Sequence, residues 1–169
     1  MSQMAALAHR RPPTPVPADG LLHPAALVAL AILLLNDHVL KASVPSPLTG
    51  ILSGFAGIVL FPLALQAGSE LLVASGSRWR GPSVRVIALA CMATGIGYAA
   101  VELLPPAMEA YQYGQGALQW PASAVLALVA SDPLPPVVPV LAISDPWDLL
   151  ALSALIIPWS VGRARATRG

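Results

Sequence analysis

Four apolar stretches alternate with polar or proline-rich segments along the chain. The first runs from about 21 to 41, the second from 48 to 74, the third from 84 to 104 and the last from 146 to 162. Each approaches or exceeds the roughly 20 residues an α-helix needs to cross a bilayer, the last at the short limit. Local signals agree with these bounds. Pro24 falls in a first turn, Ser46-Pro47 suits N-cap and N1, and Pro105-Pro106 closes the third stretch. Asp145-Pro146-Trp147-Asp148 combines an Asp N-cap, a Pro at N1 and an acid in the first turn, as the helix dipole favours.

Two segments fall outside this pattern. Residues 1–20 hold Arg10, Arg11 and four prolines, the composition of a solvated tail. With the apolar run after it, this tail has the outline of a signal peptide, but Asn36-Asp37-His38 stands where a small-residue cleavage site belongs. The expectation is an uncleaved first helix. Residues 105–145 are read as an outer loop: Ala122–Ala130 is apolar but too short to cross, Gly114 and Gly116 mark flexibility, and the run from Asp132 to Pro139 is broken by prolines. The expected arrangement there is a short interfacial or re-entrant piece and then an extended stretch. Residues 164–169 form a basic tail.

Composition agrees: the 169 residues are 56% hydrophobic and 10% charged, with a mean hydropathy of +0.72. Soluble domains carry about 25% charged residues. The expected fold class is therefore all-α, a polytopic membrane bundle of four transmembrane helices. A net charge of +1 gives no basic excess for nucleic acid, and the single Cys91 excludes an intramolecular disulfide and a thiolate cluster. The lipid bilayer is the expected partner, with other membrane proteins or a second copy beside it.

The arginines orient the bundle. With four spans, Arg10, Arg11, Arg78, Arg80, Arg85, Arg163, Arg165 and Arg168 all fall on one side, which the positive-inside rule makes cytoplasmic, with both termini. The other side keeps only Lys41 against Asp37, Glu102, Glu109, Asp132, Asp145 and Asp148. Trp79, Trp120, Trp147 and Trp159 fall near the expected interfaces.

Candidate chemistry collects at that acidic outer boundary. Asn36, Asp37, His38 and Lys41 end the first span, Thr49 opens the second, Glu102 ends the third, and Asp145 and Asp148 open the last. Ionisable groups at membrane depth are costly and so are functional candidates by default. Lys41 lies four residues after Asp37, the favourable order for a helical ion pair. The preferred reading is a network that fixes how helices meet; a proton or cation path through Asp37, His38, Lys41 and Glu102 is the alternative. A metal held by His38, Asp37 and Glu102 matches no known ligand spacing, so neither metal nor cofactor is expected. Nor is a catalytic residue, because the serines near His38 sit at cap and packing positions. Small residues at Gly50, Ser53, Gly54 and Gly57, and at Ala93 and Gly97, mark faces for close helix approach.

Several of these stretches resemble a family of small bacterial four-helix integral membrane proteins without established activity. The family motifs run N-D-H-x-L-K, L-T-G-K-L-S-D-F-A-G, F-P-L and D-P-T-D-L-L-A-L. The corresponding residues here are Asn36–Lys41, Leu48–Gly57, Phe61–Leu63 and Asp145–Leu152. Ile51 and Gly54 replace the family's Lys and Asp, so that charged pair is absent. Gly97–Leu104 and Asp148–Ala151 are more weakly similar to VanZ-like membrane proteins. What the resemblance implies is topology and a bacterial inner-membrane location.

Overall fold

The computed structural model describes residues 15–40, 43, 47–76 and 78–168, and every regular element among them is helical. The α-helices with bounds among the described residues are, in order, α1 (Pro24–Leu35), α2 (Pro47–Ser75), α3 (Val84–Leu103), α4 (Pro105–Ala130) and α5 (Ile156–Ala166). A 3₁₀ turn, Asp19–Leu22, precedes α1, a π-helical turn, Asn36–Leu40, follows it, and a 3₁₀ helix, Pro146–Leu155, leads directly into α5. Among the described residues three helical stretches are long and apolar enough to cross a membrane: Thr49–Ser75, Val84–Leu103 and Trp147–Ala166.

α2 is the central element, packed against α1, α3, the 3₁₀ helix and α5. Its neighbours come close because the buried positions are small. One core cluster joins Ala29 of α1, Ala56, Ile58 and Val59 of α2, and Ala151 and Ala154 of the 3₁₀ helix. The other joins Ala26, Leu63, Ile87, Cys91 and Val161. Alanines let backbones approach closely, and in lipid that packing, rather than water exclusion, drives helix association. Gly162 carries this furthest: a Cβ there would run into Ile87. Pro62 sits fully buried inside α2 without ending it.

The first and last spans differ from their sequence outline. α1 has 12 residues, about 18 Å at the α-helical rise, and the π turn continues it. Pro24 occupies its first turn, with His23 as N-cap accepting the Ala25 N–H at 3.2 Å through Nδ1. The last stretch begins as 10 residues of 3₁₀ helix, which rises faster per residue than an α-helix and so spans more length with few residues.

The largest difference lies in residues 105–145. Gly114 and Gly116 are not in a loop; they belong to α4, a 26-residue helix. The reason is local. Leu104 breaks α3 with an extended backbone (φ −119°, ψ 113°), as a residue before proline prefers, and the prolines that stop α3 then start α4. Pro121 is tolerated inside it. After Ser131 the chain returns along α4 without helix or strand. Three hydrogen bonds clamp it: Val140 N–H to the Gln112 carbonyl at 3.0 Å, Gln112 Nε2 to the Ala142 carbonyl at 2.8 Å, and Trp120 Nε1 to the Pro135 carbonyl at 2.7 Å. Gly116 is buried beneath Val138, where any side chain would strike the strap's backbone. The strap thus restores partners to a proline-rich segment that cannot pair with itself.

Candidate functional site

Of the polar residues singled out by sequence, Asn36, Thr49, Glu102, Asp145 and Asp148 stand at one end of the bundle in two groups. In the first, Asn36 leaves α1 fully buried and turns toward the start of α2. Its Nδ2 donates to the Thr49 carbonyl at 2.8 Å and to Ser53 Oγ at 2.5 Å. An asparagine facing apolar helices must satisfy its amide internally, and these bonds tie the α1 exit to the α2 entry. Asn36 Oδ1 has no hydrogen-bond partner among the described residues. Lys41 and the side chains of Asp37 and His38 lie outside the described residues.

The second group joins α3 to the last helix. Glu102 Oε2 accepts the Asp145 N–H at 3.1 Å. Asp145 in turn caps the 3₁₀ helix, its Oδ1 accepting the Trp147 N–H at 3.0 Å. Asp148 lies within Coulombic range of Glu102 and of Tyr98, one helical turn before Glu102. Three carboxylates therefore crowd the return of the strap to the bundle, and two of them hold backbone N–H groups. Gly54 links the two groups: one residue from Ser53, it faces the Tyr98 hydroxyl, which lies 2.6 Å from where a Cβ would stand.

The small-residue faces are only partly used. Gly54 and Ser53 make the contacts just described. A Cβ added at Gly50, Gly57 or Gly97 would meet nothing within 4 Å, and Ala93 is exposed, so these positions are not close-approach points among the described residues. The pattern on α2 admits an aromatic side chain at one glycine rather than a second helix backbone along its length.

A second polar centre, missed as a site in the sequence, occupies the opposite end. Arg165 of α5 reaches Glu70 of α2 with two bonds, Nη1 to Oε1 at 3.1 Å and Nη2 to Oε2 at 3.0 Å, and also pairs with Asp19. The Ala18 N–H donates to Glu70 Oε2 at 2.9 Å. Glu70 is 4% exposed. Gln66, one turn before Glu70, is fully buried beside Gly162, and neither of its amide atoms has a hydrogen-bond partner among the described residues. A signal for this centre was present: a carboxylate near the end of a 27-residue apolar stretch requires a cation, and arginines dominate that side.

Between the two ends the buried interior is mostly aliphatic, with Ala56, Ile58, Val59, Leu63 and Ile87 filling it; buried Thr94 donates its hydroxyl to the Ala90 carbonyl of its own helix at 2.8 Å. Among the described residues no group of three or more His, Cys, Asp and Glu side chains could hold a metal ion. At the acidic end the arrangement can hold helix ends together and present carboxylates. No family model, no curated protein and no solved structure matches this chain.

Proposed function

We propose that this is a multi-pass protein of the bacterial inner membrane that acts as an accessory, assembly or interaction protein, not as an enzyme. In this reading four helical segments cross the bilayer, the fourth being α1 with its π turn, and both termini face the cytoplasm. It is the topology implied by the resemblance to small four-helix membrane proteins. The observation that carries the functional reading is where the polar groups stand. Those that join separate parts of the chain lie at the two ends, and the interior between them is mostly aliphatic, with Thr94 bonded within its own helix. Polar side chains used this way set helix geometry. The lateral surface supports an interaction role: Leu72, Leu89, Met92, Ile96 and Ile156 are exposed along helices long enough to cross a membrane, which suits lipid or a partner helix.

The test is cross-linking in native membranes followed by purification in mild detergent. A reproducible membrane-protein partner, retained by the wild type and lost on changing lateral residues such as Leu89 and Ile96, is the expected result. Proteoliposomes that carry a proton or cation flux abolished by Glu102→Gln would replace this reading with transport.

A further inference from the structure

The side of the bundle between α3 and α5 carries a groove of about 370 Å³ lined by Ala88, Cys91, Met92, Leu155, Ile156 and Trp159. All six are apolar or aromatic. The two helices that wall it continue toward the Arg165 end, and each places an arginine one turn beyond the last lining residue. Arg85 precedes Ala88 by three positions, and Arg163 follows Trp159 by four, so each shares a helix face with the groove wall. Both are exposed. Neither forms an ion pair among the described residues, in contrast to Arg165, which is held by Glu70 and Asp19. That pairing occupies the two carboxylates of this end of the described chain, leaving none to neutralise Arg85 and Arg163.

We propose that this groove is a binding site for one anionic phospholipid, with an acyl chain along α3 and α5 and the phosphate between Arg85 and Arg163. The inference rests on the membrane reading above and adds a ligand class and an address. The order of the chemistry favours a phospholipid over a partner helix. An apolar slot that opens at an aromatic residue and then at two guanidinium groups without an ion pair among the described residues follows a phospholipid from chain to glycerol to phosphate. A second apolar groove makes the contrast. It is walled by Val28, Ile32, Phe55, Val59 and Ile157 and ends at Pro24, beyond which stand His23 and, from α5, Arg165, already held by Glu70 and Asp19. Acyl chains without a headgroup preference suit that groove.

The test uses the full chain in detergent, titrated with dioleoyl phosphatidylglycerol or dioleoyl phosphatidylcholine and read by native mass spectrometry. Carbonate extraction of the membranes beforehand scores membrane integration separately. The expected result is one phosphatidylglycerol bound in preference to phosphatidylcholine. Each arginine should contribute roughly fivefold in affinity. R85Q/R163Q should lose the preference while R78Q/R80Q, with the same loss of charge, keeps it. Ala88→Phe, which fills the groove and leaves both arginines in place, should abolish the bound lipid. Equal binding of the two lipids, or equal loss in both double variants, overturns the site while leaving an integrated protein. Release of the wild type by carbonate overturns the membrane reading itself. A membrane protein captured in place of lipid, and displaced by R85Q/R163Q, reassigns the groove to a partner and overturns the proposal.

Discussion

Arg165 grips Glu70 through two parallel bonds, and the same guanidinium pairs with Asp19 on the segment leading into α1. One side chain thus joins the N-terminal segment, the end of α2 and the end of α5. The geometry is the planar fork that suits guanidinium to carboxylate, and lysine could not reproduce it.

Removing one member should cost far more than removing the pair. Arg165→Met leaves Glu70 buried and charged, a loss of about 3–5 kcal/mol. Glu70→Leu with Arg165→Met removes both charges and should recover most of it, because Asp19 reaches solvent. Thermal unfolding of the purified variants checks this; equal losses in the single and double variants would refute the ion-pair account.

Asn36 gives a second prediction. Asn36→Leu strips the Thr49 carbonyl and Ser53 hydroxyl of their shared donor and should destabilise by about 1–3 kcal/mol. Asn36→Leu with Ser53→Ala should cost less than the sum of the two single changes, since both remove the same bond. A double-mutant cycle on melting temperature measures the coupling.

Gly54 and Tyr98 predict a rescue. Gly54→Ala drives a methyl group against the Tyr98 hydroxyl and should cost about 1–3 kcal/mol. Tyr98→Phe deletes that oxygen, and the nearest remaining ring atom is 3.6 Å from the new Cβ, an ordinary contact. Gly54→Ala should therefore be nearly neutral when combined with Tyr98→Phe. Gly50→Ala and Gly57→Ala, with open space around them, should change stability by less than about 0.5 kcal/mol. Unfolding midpoints of these variants decide the matter.

Topology provides a fourth prediction. The Asp19–Arg165–Glu70 contacts place the start of the described chain, the end of α2 and the end of α5 at one end of the bundle. Reporter fusions after Arg80 and after Arg168 should report the cytoplasm, and one between Ala130 and Ser144 the periplasm. A fusion after Arg168 that reports the periplasm would overturn the four-crossing topology.

How far the fold was readable depended on the kind of signal. The second and third spans follow from long, predominantly apolar runs, and the Asp145 cap follows from its dipeptide chemistry, because both are local. α4 was not readable as a helix: its two glycines and Pro121 argue for a loop, and the strap that covers Gly116 lies more than twenty residues away. The acidic end was half legible. Asn36 and Glu102 stood out as polar groups at span ends, but which backbone each would bond depends on where α2 and the strap come to lie. Glu70 was not legible as a site because its arginine is 95 positions distant.

Helix content, membrane-compatible length and the separation of basic from acidic ends are thus properties of the sequence alone. They depend on each residue's transfer energy and on its position relative to an apolar run. Which polar groups pair, which glycine is an approach point and where the lateral grooves open were decided only by tertiary structure. Those outcomes depend on the register of helices brought together from distant parts of the chain, and local periodicity holds no record of that register.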